Sequence, residues 1–269
     1  MKSDWEITPE CKTLPVLHNP LLIEGLPGIG NVGKIAADYL VEELNAKLLY
    51  SFFSYKFPHS VFVNEKNLIE MPKLELYYKK FNSKTKRDLL ILVGDIQPID
   101  EESCFSFCDE IIKIAKHFKC TGIITTGGIG LQQIPEKPRV YCTANNSKIL
   151  KEYQQKNMLV EKDIFGIVGP IVGVSGILLG LGRKRKMNGV AILAETFGHP
   201  LYLGIKGAKE VIRVIDTKLK YNIDLKKMSR EISEVEKEIA KKTHDWLAEI
   251  NQTQAAGAQS KKKEASYIG

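Results

Sequence analysis

The stretch GLPGIGNVGK, residues 25–34, runs straight out of the apolar residues Leu21-Leu22-Ile23 and into a helical pattern. An apolar run feeding a glycine loop and then a helix is a strand-to-helix unit, and such units are built into sheets covered by helices. Gly28, Gly30 and Gly33 match G-x-G-x-x-G, the spacing of dinucleotide-binding loops. That reading makes a second demand: a carboxylate at the end of the next strand, about 20 residues on, to hold the ribose hydroxyls. The next strand, KLLYSFFSYKF, offers Ser51, Ser54, Tyr55 and Lys56 there and no carboxylate. Gly25, Gly28, Gly30 and Gly33 are therefore expected to form a structural glycine loop, where positive φ and close backbone approach are needed, with no cofactor bound. Amides at the helix N-terminus leave an anion as a further occupant.

The alternation continues along the chain. Strands are expected at Leu21–Glu24, Lys47–Phe53, Ser60–Val63, Leu74–Tyr78, Asp88–Val93, Thr121–Thr125, Val140–Thr143 and Gly189–Ala194. The Thr121–Thr125 strand is expected to end at Gly127-Gly128. Helices are expected from Asn31 to Leu44, burying Val32, Ala36, Tyr39 and Leu40, and over Glu101–Phe118, burying Cys104, Cys108, Ile111, Ala115 and Phe118. A short helix starts near Asn146 and a longer one covers Ala208–Leu219. Several of the strands are continuously apolar, which predicts an α/β fold with a mostly parallel sheet sandwiched by helices.

Residues 164–182, IFGIVGPIVGVSGILLGLG, carry no charge and are long enough to span a bilayer. The glycines and Pro170 divide the run into a strand at Ile164–Val168, a turn at Gly169-Pro170 and a small-faced helix, and no membrane partner is expected. Residues 1–220 read as one core domain. Residues 221–250 form a charged helix with a narrow seam through Leu225, Met228, Ile232, Val235 and Ile239, which lies on its own domain or pairs with a neighbour. Residues 251–269 are polar and low in complexity, a disordered tail ending in Tyr-Ile-Gly.

The net charge of +7 is modest, and the two basic clusters, Arg183–Lys186 and Lys261–Lys263, contain no aromatic residue. Both read as solvated surface, and no nucleic acid is expected. Five scattered cysteines without C-x-x-C fit a reducing, cytoplasmic setting, and Cys104 and Cys108 read as core thiols rather than metal ligands. No histidine sits in a nucleophile motif. Asp95 in VGDIQP is placed at a strand end, and Glu195 and His199 in LAETFGHP just past another. These short polar side chains are expected to cap the helices or turns that follow. An acid–base site in a strand-end cleft near Asp95 and Glu195 is the alternative.

EGLPGIGNVGK, GDIQP, TTGGIG, GPIVGVSGILLGLG and AILAETFGHPLYLGIKGA occur in that order. With them the chain resembles the proteasome-assembly-chaperone family, in particular its archaeal-type members, over about residues 15–220. The resemblance implies a fold like that of purine nucleoside phosphorylases without the phosphorylase site. It implies a non-catalytic chaperone or adaptor that binds proteasome core-particle α subunits, a second family member, or both, and that forms homo-oligomers. It also implies that the C-terminus is a binding element, since family members end in hydrophobic–tyrosine–any residue. Here Tyr267 is third from the end, preceded by Ser266 and followed by Ile268 and Gly269. Tyr267, Ile268 and Gly269 are the partner-binding candidates, toward the proteasome or toward a family partner. An enzyme on a phosphorylase-like scaffold is the alternative function.

Overall fold

The computed structural model describes residues 4–83, 85–162, 164, 166, 169–230, 232 and 233. It divides the chain into two compact units, residues 1–224 and 225–269. The first unit opens with β1 (Glu6–Pro9), β2 (Leu21–Gly25), a short 3-10 turn and α1 (Val32–Glu43). Then come β3 (Lys47–Phe53), β4 (Phe62–Val63), β5 (Ile69–Glu70), β6 (Leu74–Lys79), β7 (Leu89–Gly94) and α2 (Glu101–His117). It closes with β8 (Gly122–Leu131), β9 (Val140–Ala144), α3 (Ser147–Tyr153), α4 (Val174–Lys184), β10 (Gly189–Phe197) and α5 (Ile205–Leu219).

Eight strands form one sheet in the order β1-β3-β6-β7-β2-β8-β10-β9. The core β7-β2-β8-β10 is parallel. β1, β3 and β6 continue it antiparallel on one side, and β9 on the other. β2 and β7 are buried along their whole length, which is why LLIEG and LLILVG lack the alternation of a one-sided strand. Alternate residues serve opposite layers. Leu22, Leu90 and Ile123 pack with Phe107, Cys108 and Ile111 of α2 and Leu178 of α4. α1 and α5 pack together on the other face. Each fully buried leucine or isoleucine contributes about 1.5–3 kcal/mol relative to exposure. Asp100 caps α2 by accepting from the Ser103 amide at 2.9 Å, and Asn146 caps α3 through the Ile149 amide at 3.0 Å.

Several elements differ from the sequence expectation. β8 runs through Gly127-Gly128 to Leu131 instead of ending there. The glycine loop lies directly on it: a Cβ at Gly128 would overlap the Ile29 carbonyl oxygen. Glycine at this point permits close approach and does not break the strand. β10 reaches Phe197, so Glu195 and its neighbour Thr196 are inside a strand, not past its end. The Ser60–Val63 segment supplies only β4, which pairs with β5 in a separate exposed hairpin. β1, absent from the sequence reading, pairs with β3 at the sheet edge. Ile164 and Gly166 lie outside any strand, Gly166 with φ +82°, so the expected Ile164–Val168 strand does not form at these residues; its remaining positions, 165, 167 and 168, lie outside the described residues. The helix of that run is α4. Among the described residues, no helix is long and apolar enough to cross a membrane.

In the second unit, residues 226–230 and 232–233 are helical. The rest of the expected helix to Ile250, and the tail with Tyr267, Ile268 and Gly269, lie outside the described residues.

Candidate functional site

β2 is flanked by β7 on one side and β8 on the other, and α1 and α2, which follow β2 and β7, cover opposite faces of the sheet. In an open α/β sheet this reversal of strand order leaves a crevice beyond the carboxyl ends of the central strands. A cleft of about 810 Å³ occupies that place, walled by residues 26–29, 97–101, 126–130 and 169–173. Its size is that of a small-ligand pocket. Ile29, Ile99, Phe105 and Val172 form an exposed apolar rim.

Two residues that the sequence reading did not single out hold the cleft together. The Gln97 amide donates to the Pro27 carbonyl through Nε2, and its Oε1 accepts from the Val174 amide at 3.0 Å. Gln97 thereby ties the glycine loop to the first turn of α4, whose N-cap, Gly173, has no side chain to do so. Glu24 is fully buried at the carboxyl end of β2. Its Oε1 accepts from the Leu26 amide at 3.1 Å and its Oε2 from the Ser175 hydroxyl at 2.9 Å. Burial pushes its pKa up to about 8, so the carboxyl is held protonated at neutral pH. A carboxylate within the run LLIEG was a visible signal for Glu24. Nothing local distinguishes Gln97 from an ordinary loop residue.

The glycines divide by the space around them. A Cβ at Gly25 would overlap the Gly33 carbonyl, and one at Gly33 the Thr126 carbonyl, so α1 rests backbone to backbone against β2 and β8. Gly30 has φ +60° and lies where a Cβ would meet Thr196 Oγ1 at 2.6 Å. Gly28 is extended, with open space on its side-chain face, and lines the cleft. At the cleft the N-termini of α2 and α4 are stoppered by the chain's own oxygens, Asp100 and Gln97, while the 3-10 turn that starts at Ile29 has no side-chain cap. Among the described residues, Asp100 and Glu101 stand in the wall and no lysine or arginine does. This electrostatic setting disfavours a phosphate or other anion.

Asp95 and Glu195 are not brought together. Asp95, just past β7, pairs with Lys34 at 3.2 Å and accepts from the Lys73 amide at 3.1 Å. Glu195, buried in β10, holds Arg139 through contacts of 2.6 and 2.9 Å and the Arg139 amide at 3.0 Å. Burial alone raises the Glu195 pKa, but these bonds outweigh it and hold the carboxylate below its usual range. β2 and β8 lie between the two residues, and neither lines the cleft. The exposed His199 stacks on Phe197, its Nδ1 accepting from the Leu201 amide at 3.3 Å. The acid–base constellation weighed from the sequence is thus dispersed into separate structural contacts. Cys104 and Cys108 are buried in the core, as expected.

The parallel core, the switch-point cleft with its apolar rim and the backbone-packed glycine loop define a protein of the α/β class. The PAC2 family model matches residues 22–243, and the chain belongs to that family. A protein of Methanocaldococcus jannaschii, MJ1210, is 30% identical over 193 residues, covering 72% of each chain. Among solved structures, Pyrococcus furiosus PbaB, an archaeal proteasome activator, superposes with a TM-score of 0.80 at 32% identity, covering 89% of this chain and 98% of that one. Pyrococcus furiosus PbaA, an archaeal homolog of proteasome-assembly chaperone, shares the fold with a TM-score of 0.71 at 23% identity, covering 97% and 99%.

Proposed function

We propose that this protein is a non-catalytic proteasome assembly chaperone or adaptor of the cytoplasm, which binds core-particle α subunits, a second PAC2-family protein, or both. The observation that carries this reading is the likeness to PbaB, at 32% identity over 89% of the chain. The dispersal of Asp95, Glu195 and His199 into separate contacts supports the non-catalytic part. The contact element in this reading is the C-terminus, Tyr267-Ile268-Gly269, presented on a long polar tether. Capture of a terminal peptide in a pocket needs few residues, and several copies in a homo-oligomer raise its effective concentration. The test is a pull-down of proteasome α subunits and core particles by the full chain and by a chain lacking residues 258–269. Loss of capture on deletion is the expected result. Undiminished capture would move the contact to the folded unit, and no capture by either chain would overturn the reading.

A further inference from the structure

α2, α4 and α5 each end on a lysine in the left-handed region: Lys119 at φ +57°, Lys186 at φ +62° and Lys220 at φ +56°. This is where helices ordinarily place glycine, because a Cβ is strained there. Lysine near a helix C-terminus complements the helix dipole. Lys116, Arg183, Lys184 and Lys218 already do so from within the last turns, with no backbone strain. The three left-handed lysines therefore need another explanation.

All three lie at one edge of the molecule, the N-terminal end of the parallel strands. Lys119 and Lys186 immediately precede β8 and β10, which are neighbours in the sheet. Lys220 adjoins Tyr221, whose ring stacks on Phe81 at 4.6 Å and whose hydroxyl donates to the Arg87 carbonyl in the loop before β7. The end of β6 and that loop add Lys79, Lys80, Lys86 and Arg87. With strands about 5 Å apart, the basic groups spread over roughly 15 Å from β7 to β10. Three of the acidic groups nearby are engaged, while Asp216 in the last turn of α5 is buried with an unpartnered Oδ1. Asp88 is buried and accepts from the His18 and Phe81 amides, Asp109 pairs with Arg185, and Glu152 pairs with Lys218. Glu42 and Glu43 lie in the last turn of α1. At the opposite edge Asp95, Asp100, Glu101 and Glu102 stand together with Lys34, Lys73 and Arg139, so the charges there are mixed.

We infer that this basic edge is a docking surface for an acidic protein surface. Lys119, Lys186 and Lys220 come singly from the ends of separate helices and the others from the β6–β7 connection, a spread array rather than one groove that tracks a strand of nucleic acid. The one aromatic ring of the 79–87 segment is already covered: Phe81 lies flat on Tyr221, with the Lys79 and Lys86 ammonium groups 5.9 and 5.7 Å from its ring centroid. The inference stands independently of the C-terminal contact proposed above.

The test compares the full chain with Lys119→Gly/Lys186→Gly/Lys220→Gly, using labelled poly-L-glutamate as the acidic probe and single-stranded and duplex DNA as alternatives. Glycine relieves the backbone at all three positions, so the variant is expected to melt at a higher temperature while binding poly-L-glutamate at least tenfold more weakly. Wild-type binding should fall steeply between 50 and 200 mM salt, with DNA bound more weakly than the polypeptide at each salt concentration. The triple Lys→Asn variant, which also tolerates left-handed φ, repeats the comparison should the glycine variant fail to fold. Equal binding by variant and wild type, no wild-type binding at 50 mM salt, or tighter binding of DNA would each overturn the inference.

Discussion

Glu24 Oε2 accepts a hydrogen bond from Ser175 Oγ at 2.9 Å, joining the carboxyl end of the central strand to the first turn of α4 across 151 residues of sequence. A fully buried carboxyl with a pKa near 8 makes this junction sensitive to pH. The unfolded chain releases the Glu24 proton near pH 4.5, whereas the folded chain keeps it to about pH 8. Between these values the native state holds one more proton, so the stability contributed by Glu24 declines as pH rises through this window and levels off above it. The loss is on the order of 3–5 kcal/mol. Urea unfolding at pH 5 to 9 should show this decline in the wild type and a flatter profile in Glu24→Gln.

Gln97 and Gly173 compete for one space. A Cβ at Gly173 would lie 2.5 Å from Gln97 Oε1, and Gly173 sits at φ +82°. Gln97→Ala removes bonds to Pro27 and Val174 and should cost about 1–3 kcal/mol. Gly173→Ala should cost a comparable amount through backbone strain and overlap. In the double variant the overlap is gone, so the two effects should fall short of additivity by at least about 0.5 kcal/mol. Equilibrium denaturation of the four proteins tests the coupling.

The four loop glycines should separate sharply on substitution. Gly25→Ala and Gly33→Ala force α1 off β2 and β8 and should leave little folded protein, a loss above about 4 kcal/mol. Gly28→Ala meets open space with an extended φ and should change stability by less than about 1 kcal/mol. Soluble yield and thermal melting check this separation, and equal losses at Gly28 and Gly33 would contradict it.

Asp95 and Glu195 should behave as structural carboxylates of unequal weight. Asp95→Asn loosens a partly exposed pair with Lys34 and should cost about 0–1 kcal/mol. Glu195→Gln weakens a buried acceptor of Arg139 and should cost about 1–3 kcal/mol. Because the Glu195 pKa is lowered on folding, its stabilisation is present above the unfolded value and is lost as pH falls through the folded one. Acid unfolding of Glu195→Gln should accordingly begin from lower stability but fall less steeply than that of the wild type.

Much of the fold was legible locally. Lys47–Phe53 reads as a strand from its β-rich run and forms β3 over the same residues. Cys104, Cys108, Ile111 and Ala115 share a helical face and are buried together in α2. The short helix expected to start near Asn146 is α3, with Asn146 as its cap. Each of these depends on residues a few positions apart, so its pattern can be read without knowing any distant contact.

The site was decided at longer range. Gln97 meets Val174 across 77 residues, and Gly33 fits against Thr126 because β8 continues through two glycines that locally resemble a stop. Asp95 and Glu195, alike as carboxylates near strand ends, were parted because β2 and β8 came to lie between their strands. Helical and extended runs follow from local torsions and side-chain spacing. The order of strands in a sheet follows from which distant edges pair and which faces the crossing helices cover, a choice made by the buried core as a whole.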